Sequence, residues 1–281
     1  MTPAPDHDQQ ELHQRLLEAL DHDAYLRFEL DPGSLESIAT RPGEAVAWIG
    51  RHRSGLRWAT GLAGDPHDPG HLGAAAALLD ELAGGTVGTS AEVRGVTITR
   101  GGRALLPAGL RVPEPWEWDF WWTVDAPDPH SLVTSYADAA RVTDLDAGDA
   151  RIGQLLDLAS PSAPLSPGDQ RVIRWAGIED PEGGLEDTGG LAAVLAVTRP
   201  RSGAAHLNDV ATHPERRGRA LARLLCGQVT VEALRVGSPA VTLGMYADND
   251  AARRVYTGLG FACARGQTSG PLHGRELDPP S

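Results

Sequence analysis

The 281-residue chain contains no lysine, and all 25 of its basic residues are arginine. Any mechanism that needs a lysine amine is therefore excluded. Cysteine is scarce as well. Cys226 and Cys263 stand alone, with neither metal-ligand nor redox spacing, which fits a reduced setting and no metal. Positive charge is in deficit, since 38 acidic residues leave a net charge of −13. That argues against non-specific binding to nucleic acid or to an anionic membrane, both of which need basic patches. No apolar run is long enough to span a bilayer. The opening M-T-P-A-P-D-H-D-Q-Q is polar and acidic and resembles no signal peptide, so a cytoplasmic protein is expected.

What the chain does have is a hydrophobic content of 41%, enough for a true core, and a length that suits two ordinary domains. Leu12, Leu16, Leu17 and Leu20 recur at helical spacing over residues 11–20. Strands are expected at 45–49, 56–62 and 93–99, with an alanine-rich helix at 71–82. In W-E-W-D-F-W-W-T, a strand places Trp116, Trp118, Phe120 and Trp122 on one face. Such a face suits a core or inter-domain strand, or the aromatic wall of a pocket, and both readings stay open. Residues 125–138 read as a linker. From Ala147 the pattern becomes helix, three strands, helix, strand, helix, strand, a mixed α/β layer fold. The strands are expected at 171–178, 191–198, 205–212 and 241–246, and the helices at 147–158, 220–234 and 250–259. Phe261 opens a last extended piece, and the chain after about Gly266 reads as a frayed polar tail.

The stretch D-V-A-T-H-P-E-R-R-G-R-A-L-A, Asp209 to Ala222, is the centre of the pattern. A strand runs through a basic turn into the start of a helix. The first amides of a helix lack internal partners and its dipole favours anions there. Arg216, Arg217 and Arg219 add to that preference. A phosphate or pyrophosphate site near residues 217–223 follows.

Two motifs resemble the GCN5-related N-acetyltransferase superfamily. The first is V-A-T-H-P-E-R-R-G-R-A-L-A at 210–222, similar to the family's strand, Q/R-x-x-G-x-G/A turn and helix. The second is N-D-A-A-R-R-V-Y-T-G-L-G-F at 249–261, similar to N-x-x-A-x-x-[LV]-Y-x-x-x-G-F at Asn249, Ala252, Val255, Tyr256, Gly260 and Phe261. Together they cover about residues 140–265. One departure stands out: Ala220 lies where the family usually has glycine. Alanine tolerates helical backbone, so the site forms readily if residue 220 is already helical, whereas a positive φ would tell against it.

The resemblance implies the acyl-CoA N-acyltransferase fold with an additional N-terminal α/β domain. It divides the chain into residues 1–125, a linker at 126–139 and an acetyltransferase domain at 140–281. The N-terminal part is expected to be a divergent, acetyltransferase-like half without cofactor binding. Acetyl-CoA is the implied co-substrate. Its pyrophosphate is expected on Arg217, Gly218, Arg219, Ala220, Leu221, Ala222 and Arg223, and its pantetheine arm beside Val210, Ala211 and Thr212. Asn249 is expected to contact the arm, although its type and place also suit a helix N-cap. Tyr256 is expected near the sulfur as the acid that protonates the leaving thiolate. Asp209, His206, His213 and Glu179 are candidates for the base. The implied acceptor is a primary amine, more readily a small molecule than a protein N-terminus or lysine. A non-catalytic acyl-CoA sensor is the rival from another class, and a homodimer is compatible with the chain.

Overall fold

The computed structural model describes residues 6–52, 55–84, 93–128, 132 and 141–272. In chain order the elements are α1 (His7–Ala19), α2 (Ala24–Phe28), β1 (Leu35–Arg41), β2 (Ala45–Arg51), β3 (Arg57–Ala63), α3 (Pro69–Gly84), β4 (Gly95–Thr99) and β5 (Trp116–Thr123). They continue with β6 (Val142–Leu145), α4 (Ala150–Ala159), β7 (Val172–Glu179), β8 (Leu191–Thr198), β9 (Ala205–Thr212), α5 (Leu221–Arg235), β10 (Val241–Tyr246), α6 (Asp250–Gly258) and β11 (Ala262–Pro271). Of these, α2, β1 and β6 were not expected. Most of the proposed linker, residues 129–131 and 133–139, lies outside the described residues.

The chain forms two compact units. The first holds residues up to Phe120, the short piece Tyr246–Asp248 and the segment from Cys263 onward. Its strands lie in the order β1-β2-β3-β4-β11-β5. One face is covered by α1 and α2, with Leu16, Leu26, Val46, Trp48 and Leu62 forming the core. Asp6 starts α1 with a reciprocal cap: its side chain accepts from the Gln9 amide, and Gln9 answers at the Asp6 amide. The other face is covered by α3 through Ala75, Leu78 and Leu79 against Ala47, Ile49, Ala59 and Ile98. Gly61 permits that close approach, because a Cβ there would lie 2.7 Å from Leu79 Cδ1.

The part of the expected tail that is described is not frayed. Residues 267–271 pair antiparallel with β4, from Gln267 opposite Thr99 to Pro271 opposite Gly95, and all five are buried. Their polarity misleads because the hydroxyls of Thr268 and Ser269 are bonded inside the unit. Trp58 Nε1 donates to Thr97 Oγ1 at 2.9 Å, Thr97 and Ser269 share a hydroxyl contact of 2.7 Å, and Trp118 Nε1 donates to Ser269 Oγ at 2.8 Å. Trp118 and Phe120 also flank Tyr25, at ring-centroid distances of 6.2 and 5.2 Å. These two aromatics of β5 are therefore core, with Phe120 fully buried.

The second unit orders its strands β10-β9-β8-β7-β6. Helices α5 and α6 cover one face, burying Leu221, Leu224, Leu225, Val229 and Tyr256 against Ala176, Ala193, Leu207 and Leu243. Helix α4 covers the other, with Ile152, Leu155 and Leu156 on Trp175, Val194 and Ala211.

Thr97→Val keeps the shape of the buried hydroxyl chain but leaves Trp58 Nε1 without its acceptor. A loss of about 1–3 kcal/mol is expected. The urea midpoint measures it, and an unchanged midpoint would show that the chain contributes nothing to stability.

Candidate functional site

The site is built on the way β9 leaves the sheet. Strand β9 pairs in parallel with β10 from Ala205 opposite Val241 to Leu207 opposite Leu243. That register ends there, while β9 continues to Thr212. On its other side, β9 stays paired with β8 but with a shift: Val194 faces Ala211 and Ala196 faces Asn208. Leu195 thus stands against two residues, Asp209 and Val210, which is a β-bulge. Within the bulge Asp209 takes left-handed backbone, at φ +50°, and its Oδ2 accepts from the Leu165 amide at 3.0 Å. Bulge and shortened parallel register together set the backbone of Val210, Ala211 and Thr212 apart from β10.

The turn after β9 is held by side chains. His213 Nδ1 accepts from the Glu215 amide at 3.2 Å, so its Nε2 carries the hydrogen donated to the Asp187 carboxylate at 3.2 Å. Arg216 makes a bidentate pair with Asp180, Nε to Oδ1 at 3.0 Å and Nη2 to Oδ2 at 2.7 Å, and also donates to Gly183 O. Arg216 is buried and committed to this pair, which corrects its expected part in an anion site. Arg217 is exposed and reaches Thr212 O at 3.4 Å and Ala159 O at 3.3 Å. Arg219 pairs with Glu182 at 2.6 Å. Arg223, in the first turn of α5, donates from Nη2 to Gly258 O at 3.2 Å. Its Nε is buried with no hydrogen-bond partner among the described residues.

Helix α5 starts at Leu221, one residue later than expected, and has no side-chain cap. Its first amides, at Leu221, Ala222 and Arg223, are therefore met by no capping side chain, and its dipole favours an anion there. Gly218 lies at φ +78°. Ala220 lies at φ +60° and ψ +19°, the left-handed conformation. The condition that residue 220 be helical is thus not met, and alanine holds a backbone shape that glycine adopts more cheaply.

Helix α6 brings up the second motif. Asn249 caps it, its side-chain oxygen accepting from the Ala252 amide at 3.0 Å. Tyr256 is 6% exposed and packs on Phe261 at 5.8 Å between ring centroids. Burial raises its hydroxyl well above the ordinary phenol value, and the nearby Cys226 thiol adds to the effect. Burial pushes Cys226 itself up to about 12, so its sulfur stays a neutral core group.

The four candidate bases separate clearly. His206 is buried on the paired part of β9, with Nδ1 2.9 Å from Thr242 Oγ1. His213 belongs to the turn. Glu179 is exposed and pairs with Arg151 at 3.0 Å. Asp209, half-buried, sits at the bulge. Asp180, Glu182 and Asp187 were not expected beside the turn after β9. Their signal was present as the acidic, glycine-rich turn E-D-P-E-G-G-L-E-D facing an arginine-rich one. Among the described residues, no cluster of His, Cys, Asp and Glu could hold a metal, and no helix is long and apolar enough to cross a membrane.

Residues 153–261 match the model of the Acetyltransferase (GNAT) family. They form a GNAT domain. Among solved structures, a GCN5-related N-acetyltransferase from Sphaerobacter thermophilus is similar at 17% identity and a TM-score of 0.55, with 94% of this chain and 93% of that one covered. A GCN5-related N-acetyltransferase-like protein from Streptococcus suis is similar at 12% identity and a TM-score of 0.50, covering 94% of this chain and 99% of that one. Both likenesses run through the first unit, so its fold is GNAT-like too. No curated protein matches the chain. The GNAT domain ties the second unit to acyl transfer, and its fold implies an acyl-CoA partner. The uncapped start of α5 and the buried, unpartnered Arg223 Nε fit the anionic end of such a molecule.

Ala220→Gly removes the left-handed penalty of about 1–2 kcal/mol, partly offset by the greater freedom of glycine when unfolded. The expected gain is about 0.5–1 kcal/mol, read as a rise in Tm of a few degrees. A fall in Tm would show that the alanine methyl is needed where it stands.

Proposed function

We propose that the chain is an acetyl-CoA-dependent N-acetyltransferase acting on a primary amine. One observation carries this reading: the β9–β10 register stops at Leu207 and Leu243 beside the uncapped start of α5. The opened strand edge offers backbone partners to an extended pantetheine arm at Val210, Ala211 and Thr212. The helix start offers amides from Leu221 to Arg223 to a pyrophosphate, helped by Gly218 and the guanidinium groups of Arg217, Arg219 and Arg223, whereas the left-handed backbone of Ala220 counts against its own expected part. Asn249 reaches the same arm from the start of α6.

Bound acetyl-CoA supplies an activated acyl thioester. The residues of this chain do the rest. A backbone amide of the 210–212 segment holds the carbonyl oxygen as negative charge builds on it. Tyr256 keeps its hydroxyl proton through the neutral range, because burial raises its pKa, and delivers that proton from Oη to the departing thiolate. The proton lost by the amine nitrogen passes to water, and an equivalent proton returns to Oη. The apolar packing of Tyr256 against Phe261 holds the ring in place and keeps water from it. A small-molecule amine is the favoured acceptor, since a net charge of −13 attracts cationic amines.

The test is thiol release from acetyl-CoA across a panel of amines, with Tyr256→Phe beside the wild type. The variant is expected to bind CoA as before and to lose about 10²–10⁴-fold in kcat. Full kcat in Tyr256→Phe at every pH would remove the assigned acid. CoA binding without thiol release by any amine would favour a non-catalytic acyl-CoA sensor.

Arg217→Ala combined with Arg219→Ala is expected to weaken CoA more than a phosphate-free pantetheine. Equal losses for the two ligands would overturn the pyrophosphate assignment.

A further inference from the structure

The turn between β7 and β8 places three carboxylates against the basic turn that opens α5, and the three pairs differ in burial. Asp180 is fully buried and Arg216 nearly so, with side-chain exposures of 0% and 10%. A bidentate pair in that setting is fixed, because separating it strands a buried charge. Asp187 meets His213, which is itself buried. Glu182 meets Arg219 at 2.6 Å with side-chain exposures of 52% and 33%, respectively. A pair this open contributes little to stability and exchanges readily.

The buried pair therefore anchors the acidic turn, and Glu182, two residues from Asp180, falls on the one arginine of the turn that lies next to Ala220 and the start of α5. A carboxylate there occupies ground suited to a phosphate. We propose that Glu182 is an internal counter-anion of the acyl-CoA site, held on Arg219 until a pyrophosphate group takes its place, and that it thereby sets the affinity for the phosphorylated end of the ligand. The inference rests on reading residues 217–223 as the pyrophosphate site. The exchange breaks no covalent bond: one charge-assisted hydrogen-bonded pair replaces another, and the released carboxylate turns to solvent.

Calorimetric titration of the full chain with CoA, and separately with phosphate-free pantetheine, tests it on the wild type, Glu182→Gln, Arg219→Gln and the double variant. Glu182→Gln is expected to tighten CoA binding about two- to fivefold, the range of an exposed ion pair, and to leave pantetheine binding and Tm unchanged. In the Arg219→Gln background the same substitution is expected to change nothing. Unchanged or weaker CoA binding by Glu182→Gln overturns the proposal. So does an equal gain with and without Arg219, which would mark a general effect of net charge. A wild type that binds CoA no more tightly than pantetheine overturns the reading of the site itself. A phosphate preference without an Arg219-dependent gain removes the role of Glu182 alone.

Discussion

Everything proposed for the second unit depends on a hydrogen-bond ladder that stops early. Parallel strands gain stability by pairing along their length, and an unpaired inner strand edge is costly unless something else meets its amides and carbonyls. Strand β9 nevertheless pairs with β10 only as far as Leu207, then bulges at Asp209 and leads into a helix without a cap. In the first unit, the parallel pair β3–β4 runs from Trp58 opposite Gly95 to Gly61 opposite Ile98. Just beyond it, the Ala63 amide is met by Thr99 Oγ1 at 2.9 Å and the Ala63 carbonyl by Arg265 Nη1 at 2.6 Å. Side chains continue there where the strand pairing ends. Two units of like fold thus differ at this strand edge.

The strained residues lie where the opening is made. Asp209 and Ala220 are two of the four non-glycine residues with positive φ among those described, and they bracket the strand end and the turn. Their cost is met by rigid neighbours: the Leu165 amide on Asp209, the buried Asp180–Arg216 pair and the His213–Asp187 contact. The basic turn does not depend on a ligand for its shape. Arginines at adjacent positions divide the work, Arg216 inward and Arg217 outward, a division that residue type alone does not encode.

Much of this was legible in the sequence. Apolar runs gave β9 and β10 their observed bounds, and the paired motifs at 210–222 and 249–261 brought the start of α5, Asn249 and Tyr256 into one unit. Features set by tertiary partners were not legible. Ala220 looks like the first residue of a helix because alanine is a good helix former, and only the turn before it forces φ positive. Gln267, Thr268 and Ser269 look like a polar tail because nothing local announces that β4 and the indoles of Trp58 and Trp118 await them. Strand β6 has four residues and lies at a sheet edge, too short for any period to show.

The central claim is that an acyl-CoA lies along the open edge of β9 and ends on the start of α5. Amide hydrogen exchange of the full chain, with and without CoA, addresses it most directly. Slowed exchange is predicted at residues 210–212 and 221–223, with β3 and β4 of the first unit unchanged. Protection confined to β3 and β4, or CoA binding that leaves 210–212 and 221–223 exchanging as before, would contradict it.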